Sequence, residues 1–214
     1  MSSETGTTIA SSKSKDSNNE RQPPLIYTSI AGDKDKLRND IKIFPPSEKF
    51  TNPVMAAKIY KILAHKYLDT DISIWLDGNI YPLVSEEQLI KEWLGDADIA
   101  VFEHNHHWTM YQEVEVIRKL FKSRPWIYEE AKEQVKNYPD LPLSMCGMII
   151  RRHTSLVERF NEAWWAEICR WGQRDQLSFP VVLRRFPDLK VNYIKGNIKN
   201  HPYLRYEQHA HFIS

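Results

Sequence analysis

The sequence predicts an α/β fold with a mostly parallel sheet. Three observations carry that expectation. Short apolar runs, rich in β-branched and aromatic residues, recur at 25–30, 72–76, 99–102, 148–150 and 191–194. Segments with helical apolar spacing fill most of the intervals between them, and strands separated by helices favour parallel pairing through crossovers. The chain has 214 residues, 42% apolar and 12% aromatic, enough to bury a sizeable core in one domain with a tail.

In chain order, residues 1–22 are dominated by Ser, Thr, Lys, Asn and Glu. Such residues cannot bury enough apolar surface to offset the entropy of ordering. They read as a disordered leader, closed by Pro23 and Pro24, with a single ordered domain over 23–214. The first strand, 25–30, stops at Ala31-Gly32-Asp33. Residues 34–49 are charged and Pro-containing, with one apolar segment at 41–44. Asn52 and Pro53 suit the N-cap and first turn of a helix. Met55, Ile59, Ile62 and Leu63 then face the core, while Lys58, Lys61 and His65 share a different face.

The clearest strand is 72–76, ended by Asp77-Gly78-Asn79. A helix is expected near 86–94, then a strand at 99–102 and a polar segment at 103–108. Helices follow over 110–122 and 126–137, before a buried strand at 148–150. Thr154 caps a long helix through Trp171, with Leu156, Phe160, Ala163, Trp164 and Ile168 inward. A shorter helix opens at Arg174-Asp175-Gln176, and a late strand occupies 191–194. The tail, 200–214, is rich in His and aromatic residues.

Composition excludes several function classes. Lys plus Arg number 29 against 28 Asp plus Glu, a net charge of +1, so no nucleic-acid partner is expected. No run of 18 apolar residues exists to span a membrane as a helix, and the N-terminus lacks an apolar signal core. Two cysteines, Cys146 and Cys169, make neither a disulfide scaffold nor a zinc pair. A reducing compartment suits this count, and a soluble, cytoplasmic protein is expected. There is no P-loop, GxGxxG, GxSxG or kinase signature. With 7 Gly in all, a Gly-rich phosphate cradle is not expected, so a bound nucleotide diphosphate needs a metal and lysines to balance its charge.

Ligands of open α/β sheets bind at the carboxyl ends of strands, where Asp77-Gly78-Asn79 stands. Its two oxygen-bearing side chains suit a hard divalent cation, and Gly between them relaxes the backbone. A plain strand-end turn explains the same tripeptide. Lys58, Lys61 and His65 suit phosphate, or simply a solvated helix face. The tail histidines of His209-x-His211 suit a metal edge or a flexible tail. Glu103-His104-Asn105-His106-His107 lacks the HExxH spacing and suits substrate hydroxyls or phosphate better than zinc. Asp175 suits a helix cap or a general base, and local sequence does not choose. Cys146 reads as buried filler rather than a nucleophile.

An ordered set of segments resembles one family. Residues 57–68 and Ile74-Trp75-Leu76-Asp77-Gly78-Asn79-Ile80 look like the core of the "domain of unknown function 616" glycosyltransferases. Tyr27-Thr28-Ser29-Ile30-Ala31-Gly32 resembles that family's opening strand. The likeness continues through Tyr111-Gln112-Glu113, Ile149-Ile150-Arg151-Arg152-His153, Trp164-Trp165-Ala166-Glu167 and Arg174-Asp175-Gln176-Leu177-Ser178-Phe179-Pro180. It covers residues 25 to about 211, and the compact length is most similar to the chlorella-virus type of glycosyltransferase domain.

The resemblance implies a GT-A fold: a Rossmann-like, mixed, mostly parallel sheet flanked by helices. It implies a hexosyl- or deoxyhexosyl-type transferase that moves sugar from a nucleotide sugar to a hydroxyl of a glycan or glycoprotein acceptor; an inverting displacement with Asp175 as base is favoured, and a retaining one in which Asp175 stabilises the oxocarbenium-like sugar stays open. The implied cofactor is Mn2+ or Mg2+ and the implied donor a UDP- or GDP-sugar, UDP favoured. Asp77 and Asn79 stand at the implied metal positions, with His209 or His211 as the C-terminal ligand, His209 favoured. Tyr27, Thr28 and Ile30 would line the base pocket, and Lys58 and Lys61 would approach the ribose or diphosphate. Trp75, Gly147 and His107 join the implied donor contacts, and Asp175 is the implied base. Cys146 departs from the family's small polar residue. Membership of a larger multidomain glycosyltransferase is compatible with this reading. Competing readings are a metal-dependent hydrolase, with His104, His106 and His209 on zinc, and an inactive carbohydrate-binding module.

Overall fold

The computed structural model describes residues 22–32, 35–104, 106, 108–120 and 122–208. The main sheet has six strands: β1 (Leu25–Ser29), β2 (Lys42–Phe44), β3 (Ile72–Leu76), β5 (Ile99–Glu103), β6 (Ser144–Arg152) and β7 (Val191–Ile194), in the order β2-β1-β3-β6-β5-β7. The β1–β2, β1–β3 and β5–β7 pairs are parallel. Strand β6 alone runs against its neighbours, with Trp75 opposite Ile149 on one side and Ala100 opposite Ile150 on the other. The sheet is therefore mixed and mostly parallel, as the sequence suggests. A second, two-stranded sheet pairs β4 (Ile80–Pro82) antiparallel with β8 (Leu204–Tyr206).

Adjacent strand residues point to opposite faces, and both faces are covered, so the strands read as continuous apolar runs. Tyr27, Trp75, Val101 and Ile149 pack under helices α1 (Pro53–Ile62), α5 (Ser155–Trp171) and α6 (Asp175–Leu183), against Ile59, Phe160, Trp164 and Phe179. Their neighbours Ile26, Ile74, Ala100 and Ile150 face the opposite layer, built from Leu89, Trp93, Ile198 and Leu204. Enclosing a side chain such as Phe160 stabilises the fold by about 1.5–3 kcal/mol. A third cluster joins α3 (Met110–Leu120) and α4 (Pro125–Lys136) to α6 through Ile117, Ile127 and Leu177.

Local chemistry sets the helix ends. The Asn52 side chain accepts from the Val54 amide at 2.9 Å, with Pro53 in the first turn of α1. Thr154 Oγ1 accepts from the Val157 amide at 3.3 Å, and α5 stops at Gly172, whose φ of 141° favours glycine. The expected helix at 86–94 is α2 (Glu86–Leu89), continued by a π-type turn over Ile90–Leu94.

Two expectations change. Helix α1 ends at Ile62, so His65 belongs to a separate 3-10 turn rather than to the lysine-bearing helix. The buried strand expected at 148–150 begins four residues earlier, at Ser144. Within the tail, Leu204–Tyr206 form β8, held by pairing with β4. The leader expected at 1–22 lies outside the described residues except Gln22, whose amide donates to the Asp69 carbonyl at 3.1 Å. No helix among the described residues is long and apolar enough to cross a membrane.

Candidate active site

At the carboxyl end of β3 the chain makes a tight turn. The Asp77 amide donates to the Gly147 carbonyl at 2.8 Å, and the Asp77 carbonyl accepts from Ile80 at 2.9 Å. Gly78 is not left-handed. Space, rather than backbone freedom, favours glycine here: a Cβ would stand 2.8 Å from Asp35 Oδ2 and 3.1 Å from Ile30 Cγ1, so both neighbours would have to shift. Gly147 is similar, since its Cβ would stand 3.1 Å from Ile80 Cδ1 and 3.3 Å from Asp77 Oδ2.

A line of charges leads inward from this turn. Asp77 Oδ1 accepts from Trp75 Nε1 at 2.8 Å and from Lys61 Nζ at 3.1 Å. Lys61 Nζ also lies 2.8 Å from Asp175 Oδ2, and Lys58 Nζ lies 2.8 Å from Asp175 Oδ1. Lys58 further donates to the Gln173 carbonyl at 2.8 Å. The Asp77 side chain is 43% exposed, whereas those of Lys61 and Asp175 are 7% and 9% exposed.

The sequence builds this line simply. Residues three apart share a helix face, so Lys58 and Lys61 project together from α1. Asp175 is the first residue of α6, where the helix dipole favours a carboxylate. The buried Asp175 carboxylate faces both ammonium groups, and the half-exposed Asp77 carboxylate offsets the second, which makes the burial tolerable. The lysines are thus not a solvated helix face.

The ion pairs set the protonation states. Burial by itself raises the Asp175 pKa, but Lys58 and Lys61 outweigh it and hold the carboxyl well below the usual range. Burial by itself lowers Lys61, but Asp175 and Asp77 outweigh it and hold the ammonium above the ordinary lysine value. For Lys58 burial wins over Asp175, and its pKa is lowered. Burial pushes the Cys146 thiol up, and Sγ contacts the Ser144 carbonyl at 3.8 Å, so the group is a neutral filler rather than a nucleophile.

Behind α1 lies Arg151, fully buried. Its Nη2 donates to the Lys61 carbonyl at 2.6 Å, and its Nη1 donates to the Ile62 carbonyl and to Asn161 Oδ1, both at 3.1 Å. A guanidinium thus closes the carboxyl end of the helix that carries both lysines.

Asn79 is held from the other side. Its Nδ2 donates to the Glu207 carbonyl at 3.0 Å, and the Glu207 amide donates to the Asn79 carbonyl at 2.9 Å. A cavity of about 280 Å³ opens beside it, lined by Asp35, Lys36, Gly78, Asn79, Tyr81 and Gln208. Tyr81 forms part of its wall between two guanidinium groups, Arg38 at 4.1 Å and Arg205 at 4.6 Å.

Of the residues singled out from sequence, Trp75, Asp77, Lys58, Lys61, Asp175 and Gly147 come together here. Tyr27 does not open onto a cavity: it is fully buried, its hydroxyl donates to the Tyr60 carbonyl at 3.1 Å, and its ring packs on Trp75. Thr28 is equally enclosed, and Ile30 closes on Gly78. His107 and His209 lie outside the described residues. His104 and His106 stack on Trp108, with centroids 5.0 and 4.9 Å away. Among the described residues, no group of three or more His, Cys, Asp or Glu side chains converges as a metal site would require.

The donor chemistry still fits a hard cation. Asp77 is partly open to solvent, the Asn79 amide stands two residues on, and Gly147 leaves the space a Cβ would fill against Asp77. Sequence reasoning missed Asp35, Gln173 and the positioning guanidinium of Arg151. The Lys58–Asp175 pair left no local signal, being 117 residues apart in the chain.

Residues 40–201 match the family model described as TOD1/MUCI70, glycosyltransferase-like domain. The chain is similar to "Probable hexosyltransferase MUCI70" of Arabidopsis thaliana, at 24% identity over 139 residues. That likeness covers 58% of this chain and 24% of the relative, so the chain spans about a quarter of the relative's length. Among solved structures, apo mouse xyloside xylosyltransferase 1 aligns with a TM-score of 0.37 and 18% identity, over 64% of this chain and 50% of that one. The apo WbbM bifunctional glycosyltransferase aligns with a TM-score of 0.39 and 12% identity, over 81% of this chain and 45% of that one. Since the family match spans well over half of the sequence, the chain belongs to the TOD1/MUCI70 glycosyltransferase-like domain family.

Proposed function

We propose that this domain transfers a hexosyl or deoxyhexosyl unit from a nucleotide-diphosphate sugar, UDP favoured, to a hydroxyl of a glycan or glycoprotein acceptor, with inversion. The GT-A designation, the "domain of unknown function 616" type, its compact chlorella-virus form, a cytoplasmic location and a place in a larger multidomain protein belong to the same reading. One observation carries it: the line Lys58–Asp175–Lys61–Asp77 surfaces at the carboxyl end of β3, where open α/β sheets bind ligands.

In this reading Asp77 and Asn79, with His209, hold Mn2+ or Mg2+. When bound, the ion supplies Lewis-acid stabilisation of the departing diphosphate. Lys61 adds a fixed positive charge beside it, with its orientation set by the two carboxylates. Trp75 holds the Asp77 carboxylate in one rotamer through its indole N–H. His107 would add a further donor contact.

Asp175 is ionised at neutral pH and so stands in the form a base requires. To take the acceptor proton it must first lose one ammonium partner. Displacement of Lys58 by the acceptor hydroxyl raises its basicity at that moment. The alternative role, in which Asp175 only positions the two lysines, rests on the same ion pairs.

The test is a thermal-shift and calorimetric titration of UDP, GDP and UDP-hexoses with and without Mn2+. Stabilisation by a uridine nucleotide, enhanced by Mn2+ and no longer enhanced in Asp77→Ala, supports the reading. Wild-type metal enhancement in Asp77→Ala refutes the metal assignment, and no nucleotide response in the wild type refutes the donor assignment. Once an acceptor is in hand, Asp175→Asn should slow transfer by roughly a hundredfold or more. Unchanged turnover in a folded Asp175→Asn protein removes Asp175 from the base role.

A further inference from the structure

We propose that a second groove, at the joint start of α1 and α4, is a saccharide subsite for the acceptor; this rests on the glycosyl-transfer reading above. The groove has a volume of about 340 Å³ and is lined by Asn52, Pro53, Val54, Arg124, Trp126 and Gln173. None of these residues belongs to the site already described except through the Gln173 backbone.

Its position connects it to that site. The Gln173 carbonyl accepts from Lys58 Nζ at 2.8 Å, and the same ammonium lies 2.8 Å from Asp175 Oδ1. Only Arg174 separates the groove wall from Asp175 in the chain. Arg174 itself is turned aside onto Glu113 and Gln176. Helix α1 follows β2 and precedes β3, so its start, at Asn52, lies beyond the carboxyl edge of the parallel strands, on the ligand side of the sheet.

Its chemistry is that of sugar recognition. Trp126 is 55% exposed at the first turn of α4, and Val54 beside it is also exposed. A large exposed indole offers a flat apolar surface for the C–H face of a pyranose. Around it stand groups that match a rim of hydroxyls: the Asn52 and Gln173 amides, which fix each other through a 3.3 Å hydrogen bond, and the Arg124 guanidinium. Arg124 makes no ion pair among the described residues. The volume falls at the small end of the range for ligand pockets, about 300–1,000 Å³. A helix or strand from a protein partner would need a longer apolar groove or a sheet edge, which this short, polar-walled cleft does not offer.

The platform is also rigid. Helix α4 is anchored by buried Ile127 and by the buried Gln134 Nε2 to Ser178 Oγ hydrogen bond at 3.1 Å, which ties it to α6, the helix that carries Asp175. Binding residues mounted on one frame with the reacting groups hold an acceptor at a fixed distance from them.

The test uses the full chain with cellohexaose and xylohexaose as probes, by saturation-transfer NMR and calorimetry, beside a UDP titration. At least one hexamer should bind in the millimolar range or tighter. Trp126→Ala should weaken that binding roughly tenfold, Trp126→Phe should restore part of it, and UDP affinity should stay within about twofold in both. Arg124→Ala, a change at an exposed position, reads the same groove independently and should also weaken hexamer binding without altering UDP binding. Hexamer binding that survives in both Trp126→Ala and Arg124→Ala overturns the subsite, as does wild-type protein that binds UDP but neither hexamer. Failure to bind UDP strikes instead at the glycosyl-transfer reading on which the subsite rests.

Discussion

Lys61 reaches Asp77 across 3.1 Å, joining the last turn of α1 to the carboxyl end of β3. The same ammonium lies 2.8 Å from Asp175, so a single side chain couples the half-exposed carboxylate of the turn to the buried one on α6. A change at any one of these three groups is therefore felt by the other two, and the site should respond as a unit.

The Asp175 ion pairs should be visible in the pH dependence of stability. Its folded pKa is depressed by Lys58 and Lys61, so its contribution is complete above the unfolded value of about 3.9 and is lost as pH falls toward the folded value. Replacing it leaves two buried ammonium groups short of a partner, and Asp175→Asn should cost about 3–5 kcal/mol near neutral pH. Urea denaturation of both proteins should show a gap that is flat from about pH 5 to 8 and narrows below about pH 4. A gap that stays constant into strong acid would mean that the ion pairs do not stabilise the fold.

Gly147→Ala should separate site geometry from stability. The new Cβ presses on Ile80, Ile198 and the Asp77 carboxylate, at 3.1, 3.4 and 3.3 Å. Overpacking of this kind costs about 1–3 kcal/mol in denaturation midpoint terms. Because Asp77 must shift, nucleotide binding in Mn2+ should fall by more than the stability loss alone explains. Titration at a temperature where both proteins are fully folded checks this.

Arg151 should matter far more than a lone surface arginine. Its guanidinium satisfies two carbonyls at the end of α1 and the Asn161 amide oxygen, all in the interior. Arg151→Met leaves these acceptors buried without a donor and should destabilise by about 3 kcal/mol or more. Arg151→Lys should recover only part of this, since an ammonium cannot reproduce the planar fork. Equilibrium unfolding of the three proteins is the measurement.

Gly78→Ala offers a contrast with Gly147→Ala. Its Cβ would meet Asp35 Oδ2 at 2.8 Å and Asp35 Cβ and Ile30 Cγ1 at 3.1 Å. The strain falls on the 35–40 segment, so this substitution should reshape the cavity beside Asn79 while leaving the Lys61–Asp175 pair intact. Crystallography of the variant, or the persistence of the pH-dependent stability gap in its Asp175→Asn background, distinguishes the two effects.

The strands and helices were legible because apolar periodicity and capping are local. Asn52-Pro53 and Thr154 opened α1 and α5 as their side-chain chemistry dictates. The antiparallel direction of β6 was not legible, since a strand buried on both faces reads the same in either direction. The strand within the tail was hidden for a related reason. Leu204, Arg205 and Tyr206 carry no strand pattern of their own, and β8 exists because β4 supplies its hydrogen-bonding partner.

The site divides in the same way. The tripeptide at the end of β3, the paired lysines of α1 and the acid that opens α6 each stood out by residue type and local position. Their assembly into one line of charge is a property of the packed chain, because the start of α6 must come beside α1 before Asp175 can meet two ammonium groups. The glycines show the limit most clearly: sequence suggests backbone freedom at Gly78, whereas the close approach of Asp35 and Ile30 is what a larger residue would crowd. Local chemistry, then, was written in neighbouring residues and could be read from them. Which distant groups touch was decided only when burial of both sheet faces forced the helices into place, since contact between residues more than a hundred positions apart leaves no trace in either neighbourhood.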